Sequence, residues 1–600
     1  MSALKKLHDA KTIADVAGIL GFQVNKLTYI LYVQPDALKY KEFDIPKKSG
    51  GVRRITAPQG GLKLLQKRLA DLLQDCLDEI NKNAASDSKV KPFGLASHGF
   101  KRGSSIRTNA RKHHNRRYVF NVFNIDLTDF FGSINFGRVR GFFIKDERFH
   151  LDPKVATIFA QIACFKQSLP QGSPCSPVIS NLIGNILDTH LVRLANREGC
   201  IYTRYADDLT FSTNKRCFPQ SIAIQSDSDK HVWMPGTELL RLVKHSGFAI
   251  NPKKTRMQYR CSRQEVTGLV VNKKVNIRCE YRHNTRAMVH RLFTKGSFLL
   301  PTFERNENGE YFLKMKPGRL NQLHGRLGFI DGIDRYNIEI LSIATAKESI
   351  KSKETIYRRF LFYKEFYAAS KPVLICEGKT DHVYIENALR QLASRYPSLV
   401  SLDSNGKSTF LIKRFKYPTE SKSKSKSSRS HTTEILGIKG GTGDFKNFIP
   451  LYPKEFAHFS APGMKEPVML LVDNDPAGQG VLGVVINMLK KSSRAREEID
   501  KNKPYIHIHD NLYLILTPLK EDQDISQIED LFDVSTLSIK IDGKSFNRSN
   551  EDVTEKTYSK AVFARKVVEE MASSINFEGF IPLLDRIVKV IEIHHAKRKK

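Results

Sequence analysis

Tyr205-Ala206-Asp207-Asp208 sets two adjacent carboxylates between residues 200–204 and 209–212, two runs that read as strands. Like charges at a hairpin tip repel, and nothing in a hairpin needs them. A divalent cation removes that repulsion, so the pair makes sense as a magnesium clamp for phosphoryl transfer. A third acid stands in Phe-Asn-Ile-Asp126-Leu-Thr-Asp-Phe-Phe, directly after a strand expected over 119–125. Asp126 beside Asp207 and Asp208 would complete a three-carboxylate, two-metal site. Such a site activates a 3'- or 2'-hydroxyl and steadies a pyrophosphate leaving group. Asp129, three residues on, is expected to point elsewhere.

A second acidic set lies in the C-terminal part. Val373-Leu-Ile-Cys-Glu377-Gly-Lys-Thr-Asp381 reads as a buried strand, an acid, a glycine turn and a helix start. Val468-Met-Leu-Leu-Val-Asp473-Asn-Asp475 reads as another strand ending in a D-x-D pair. In a doubly wound sheet both ends fall along the carboxyl edge, where ligands bind. Glu377, Asp473 and Asp475 would meet there and hold magnesium against a phosphodiester.

The elements that must carry these acids follow from pattern and composition. Six hundred residues exceed one hydrophobic core, so several domains are expected. With 97 Lys+Arg against 63 Asp+Glu the net charge is +34, which attracts polyanions and implies salt-sensitive nucleic-acid binding. The eight cysteines show no C-x-x-C spacing, against a zinc site or disulfide framework and in keeping with a reducing cytoplasm. No apolar run approaches membrane-spanning length, so no membrane role is expected.

Apolar spacing predicts a helix over 61–80 and two strands within 43–57 around a basic glycine turn. A long helix is expected over 177–196, strand-rich structure over 248–270, and basic helices over 280–365. Ser421 to Ser430 is a lysine/serine tract that cannot bury a core, so a mobile insertion is expected near 415–432. Residues 536–600 read as a helical extension with a solvated basic tail.

Four strings now stand in order: Asp126; Leu169-Pro-Gln-Gly-Ser-Pro174; Tyr-Ala-Asp-Asp; and Gly247-Phe-Ala-Ile-Asn-Pro-Lys-Lys-Thr255. In that order they resemble motifs A to D of reverse transcriptases. The resemblance implies a multidomain α+β protein whose right-hand polymerase has fingers and palm over 1–280 and a thumb over 281–365. Asp126, Asp207 and Asp208 would be catalytic and hold two Mg2+ ions. Phe131, five residues after the first acid, would be the steric gate that selects deoxynucleotides. Gln171 would sit beside the incoming dNTP. Arg53 or Arg54 would reach its triphosphate, and Lys254 or its neighbour Lys253 the leaving phosphate.

Asn109-Ala-Arg-Lys-His113 and Val266-Thr267-Gly268 resemble the additional signatures of bacterial retron reverse transcriptases, which implies RNA contacts by Asn109, His113, Val266, Thr267 and Gly268. It further implies copying of a partner non-coding RNA, primed from an internal 2'-hydroxyl, into branched msDNA. A group II intron-like or other bacterial reverse transcriptase is the alternative.

Residues 371–535 look like a Toprim domain, an α/β fold with a parallel sheet. There Glu377 would be general acid/base and metal contact, and Asp473 and Asp475 ligands of one or two Mg2+ ions. Gly440-Gly-Thr-Gly-Asp444 would be a loop near phosphate, and Glu529 and Asp530 resemble the extra acids of nuclease-type Toprim domains. The implied whole is a cytoplasmic retron enzyme with a Toprim nuclease effector in antiphage defence, against an msDNA-binding scaffold with an inert Toprim half. The resemblance leaves room for a higher-order assembly with msDNA.

Overall fold

The computed structural model describes residues 2–47, 50–86, 92–114, 120–226, 231–306, 310–341, 354–417, 428–491, 503–520, 523–548 and 555–599. The chain forms two compact units. The first takes Met1–Arg282, Thr302–Lys314 and Gly332–Ile343; the second takes His283–Pro301, Met315–Asp331 and Ala344–Lys600. The first break falls beside the expected boundary at 280. The segment expected as a separate thumb is instead shared between units, and the C-terminal extension belongs to the second.

In the first unit, strands β1 (Tyr40–Pro46) and β2 (Val52–Pro58) pair antiparallel as a two-stranded hairpin. Helix α1 (Gly60–Ser86) follows. Its buried Leu62, Leu65, Leu69, Leu73, Cys76, Leu77 and Ile80 repeat every three or four residues, the stripe that fastens it to the core. The central sheet has four antiparallel strands: β3 (Asn121–Asp126), β4 (Ile201–Tyr205), β5 (Asp208–Thr213) and β6 (Arg256–Tyr259), in the order β4-β5-β3-β6. Phe123, Ile125, Leu209 and Phe211 of this sheet share one core with helix α3 (Ser176–Glu198), while the short helix α2 (Ile106–Lys112) packs against β4. Helix α3 ends where Gly199 turns left-handed at φ +65°, freeing the chain to enter β4. Of the strand-rich stretch expected over 248–270, only β6 joins the sheet.

The second unit is built on a five-stranded sheet. Its strands are β7 (Val373–Cys376), β8 (Lys413–Arg414), β9 (Val468–Val472), β10 (Ile506–His509) and β11 (Leu512–Leu516), in the order β8-β7-β9-β11-β10. The first four run parallel and β10 is antiparallel. Every residue of β7, β9 and β11 is buried, as expected for strands covered on both faces. Helix α4 (Asp381–Gln391) follows β7, and helix α5 (Thr442–Phe456) precedes β9.

Two expectations need correction. The C-terminal extension is more than a tail: its basic end, Lys597 and Arg598, is exposed as expected, but helix α6 (Ile581–Lys599) buries Leu583, Leu584, Ile587 and Val590 completely in the core beside β7 and β9. Its apolar stripe outweighs the basic residues at its end. The helical stretch expected over 280–365 is interrupted by a hairpin, Leu299–Arg305 with Tyr311–Pro317, where Phe303, Tyr311 and Phe312 favour strand. Residues 418–427 of the lysine/serine insertion lie outside the described residues, while Ser428–Leu436 is helix.

Candidate functional site

Asp126 ends β3 and Asp208 begins β5, and the register sets them directly opposite one another. Leu127 N donates to Asp207 O at 3.0 Å, which binds the two chain ends together. Asp126 is buried, and its Oδ2 meets Lys254 Nζ at 2.8 Å. Removal from water and the Asp126 charge raise the Asp207 carboxyl above its ordinary range. Desolvation, with the charges of Asp207 and Asp126, pushes Asp208 up to about 7, although the residue as a whole is open to solvent. Asp207 and Asp208, whose ionised forms are disfavoured by burial and by neighbouring carboxylates, are short of positive charge.

Among the described residues no three His, Cys, Asp or Glu side chains converge as a ready-made cage. Asp126 Oδ2 is taken by Lys254 Nζ instead. An all-oxygen donor set with unrelieved charge nevertheless fits a hard divalent cation.

The nucleotide-handling residues separate clearly. Arg54 is tied to Glu42 Oε2 at 2.6 Å, across the hairpin, whereas the charge of Arg53 reaches Asp207 and lowers its pKa. Arg53 is therefore the better aimed. The carbonyl of Gln171 accepts Thr56 N at 2.7 Å, so the proline-glycine loop is seated on β2. Gly172 (φ +124°) permits this, since a Cβ there would lie 2.9 Å from Thr56 O. Phe131 is partly exposed, with its ring 5.5 Å from that of buried Phe130. Lys254, not Lys253, reaches the acids. Asp129 is left-handed at φ +42°, and its carboxylate lies against Gly132.

The proposed RNA contacts are placed otherwise. Asn109 and His113 are 1% and 0% exposed, so neither side chain offers a surface to RNA. His113 Nδ1 and Nε2 instead lie 2.7 and 2.6 Å from the hydroxyls of Ser212 on β5 and Thr203 on β4. Burial pushes its pKa down to about 3, so the ring is neutral. Val266 is fully buried too. Thr267 Oγ1 donates to Ile106 O at 3.3 Å, and Gly268 turns left-handed beside it. The two strings thus brace each other and the strands behind the acids; of the five residues expected to touch RNA, only Thr267 and Gly268 retain exposure. A polar face on a short helix can meet water or buried hydroxyls, and the tertiary fold chose hydroxyls.

In the second unit Glu377 follows β7 and Asp473 follows β9, on adjacent parallel strands. Asp473 N donates to Glu377 Oε2 at 3.3 Å, and Asp473 Oδ1 accepts Ile528 N at 2.9 Å. Desolvation raises Glu377, and desolvation with the charges of Asp381, Glu529 and Glu377 pushes Asp473 up to about 8. Burial and Glu529 push Asp381 up to about 7. Asp475 is committed differently: its Oδ1 accepts Gly478 N at 2.9 Å and caps the helix Pro476–Lys491. Asp444 likewise accepts Gly440 N at 2.9 Å, and Gly441 N donates to Glu377 O at 3.0 Å, so two of the glycine loop's amides are already engaged. Glu529 is fully buried and ion-pairs with Lys560 at 3.0 Å; Asp530 pairs with Arg548.

Sequence reasoning missed Lys560, for which a 31-residue separation leaves no signal. It also missed Arg204 and Asp188, a fully buried ion pair at 2.8 Å behind the Asp207 turn. A lone arginine in an otherwise uncharged strand was the available cue.

Residues 45–278 match the model of the reverse transcriptase (RNA-dependent DNA polymerase) family. Apo telomerase from Candida tropicalis overlays on 41% of this chain and 56% of its own at 17% identity, with a TM-score of 0.26, too loose to define a fold. The retron Mx65 and Mx162 reverse transcriptases of Myxococcus xanthus are each 34% identical, over 47% and 45% of this chain. The chain spans 62% and 55% of their lengths. The retron Ec86 reverse transcriptase of Escherichia coli is 31% identical over 49% of this chain and 80% of its own length. On that extent of shared sequence, the chain belongs to the retron reverse transcriptase family.

Proposed function

We propose that this chain is an RNA-directed DNA polymerase that copies a partner non-coding RNA, from an internal 2'-hydroxyl, into branched msDNA. The observation that carries the reading is the cross-strand pairing of Asp126 with Asp208, with Asp207 adjoining on the turn. Asp126, Asp207 and Asp208 would hold two Mg2+ ions, which supply an acidified attacking hydroxyl and charge relief on the pyrophosphate. The chain's own residues do the rest. Arg53, on β2, would draw in the triphosphate. Phe131, partly exposed, would lie under the sugar and exclude a 2'-hydroxyl from the incoming nucleotide. The Gln171 loop would support the base. Lys254, already drawn to Asp126, would neutralise charge on the leaving phosphate. The net charge of +34 supports a grip on the RNA and hybrid backbone.

The second unit we read as a Toprim effector, a Mg2+-dependent nuclease acting in antiphage defence in the cytoplasm. Support comes from Glu377 and Asp473 at adjacent parallel strand ends and from their raised pKa values. One observation favours a second reading, an msDNA-binding scaffold: Asp475 is already engaged as a helix cap.

The experiment is expression of the full chain with its flanking DNA, followed by debranching and sequencing of the bound nucleic acid. A 2',5'-branched RNA–DNA hybrid is expected. Unbranched product would favour a reverse transcriptase of another kind.

A further inference from the structure

The turn that presents the acids holds Ala206 at φ +57°, a conformation that residues with a Cβ avoid. Something must pin it, and the structure puts one guanidinium behind it. Arg204 Nη1 donates to Ala206 O and to Asn181 Oδ1, each at 3.2 Å. Its other edge is clamped by Asp188, which accepts Nε and Nη2 at 2.8 Å each. Tyr202 OH donates to Asp188 Oδ1 at 2.8 Å.

Asn181 and Asp188 are two turns apart on α3 and so share a face. Gly184 lies between them, and a Cβ there would sit 2.8 Å from Arg204 Nη2, so the helix opens a slot for the guanidinium. From the other side Gly99 O accepts Asn181 Nδ2 at 2.6 Å, and a Cβ on Gly99 would lie 2.7 Å from Ala206 N. His98 N donates to Arg204 O, and Arg204 N to Ala96 O, both at 2.8 Å.

Arg204 and Asp188 cancel in charge and are sealed from water. Arg204 therefore acts on the turn through shape. We propose that Arg204, locked by Asp188 and Asn181, is a positioning residue that holds Ala206 left-handed so that Asp207 and Asp208 are presented together. This rests on the polymerase reading of the same site.

The test uses the full chain with its copurified RNA and the variants Arg204→Lys, Asn181→Ala and Arg204→Lys/Ala206→Gly. Lysine keeps the charge but cannot make the fork. For Arg204→Lys we expect kcat to fall roughly tenfold or more with KM for dNTP little changed, since misplaced groups lose rate before affinity. The Mg2+ concentration for half-maximal rate should rise. The Mg2+-induced increase in Tm should shrink toward that of Asp207→Asn, a readout that needs no turnover. Glycine adopts positive φ freely, so Ala206→Gly should restore part of kcat without restoring Tm.

A core staple alone predicts the opposite: Tm falls, while kcat, the Mg2+ midpoint and the Mg2+-induced shift stay put and glycine rescues nothing. That result overturns the proposal. Should Arg204→Lys fail to fold, Asn181→Ala, which removes one anchor of the same nitrogen, is judged by the same readouts. If the unaltered chain makes no DNA, the polymerase reading fails, and the Mg2+-induced Tm shift still decides whether the turn is held this way.

Discussion

The two units assemble acids by opposite sheet constructions. In the first, an antiparallel ladder puts Asp126 across from Asp208, and a turn adds Asp207. In the second, parallel strands end side by side, and Glu377 and Asp473 emerge from neighbouring carboxyl ends. Each cluster is answered by one lysine, Lys254 at 2.8 Å from Asp126 and Lys560 at 3.0 Å from Glu529. Lys254 sits in a local 3-10 turn just before β6. Lys560 arrives from the C-terminal extension. The difference teaches that an antiparallel register sets acids face to face across a sheet and a parallel one sets them side by side at its edge, while in both units a lysine distant in sequence supplies the counter-charge.

Four changes would break or sharpen this contrast. The largest effect is expected from Asp207→Asn. It should cut DNA synthesis by about a thousandfold or more, the loss of several kcal/mol of charge stabilisation, while RNA retention on filters persists. Primer extension at near-normal rate would remove the first site from the comparison. Next comes Glu377→Ala, which should lower Mg2+-dependent phosphodiester hydrolysis by about a hundredfold and leave primer extension intact. A simultaneous loss of both activities would mean the sites are not separate.

Phe131→Ala should raise ribonucleotide over deoxynucleotide incorporation by roughly tenfold to a hundredfold, measured in competition. An unchanged ratio would return Phe131 to the core.

The smallest effect is on stability. The folded pKa of His113, about 3, lies below its ordinary 6.5. Its contribution is therefore complete above pH 6.5 and is lost as pH falls toward 3. Between pH 7 and 5 the first unit should lose about 2 kcal/mol from this group. Chemical denaturation of His113→Gln across that range checks it; an identical pH slope in variant and parent would contradict the buried neutral ring.

Much of the first site was legible because its determinants are local. Asp207 and Asp208 are adjacent, and the strand before Asp126 announces itself by its apolar residues. The Arg53/Arg54 and Lys253/Lys254 ambiguities were not legible. Neighbouring side chains on one element point to different places, and only the Glu42 and Asp126 carboxylates separate them. Asn109 and His113 were misplaced because polarity does not say whether a donor meets water or a buried hydroxyl. The basic end of α6 drew attention from the stripe of Leu583, Leu584, Ile587 and Val590.

By itself the amino-acid order determined the strands that carry the acids, the acids at their ends and the +34 charge, since periodicity and composition act over a few residues. Tertiary structure alone decided that Lys254 answers Asp126, that Lys560 answers Glu529, and that Arg204 stands behind Ala206. These depend on burial: a charge removed from water takes whatever partner the packed fold brings within about 3 Å, however far away it lies in the chain.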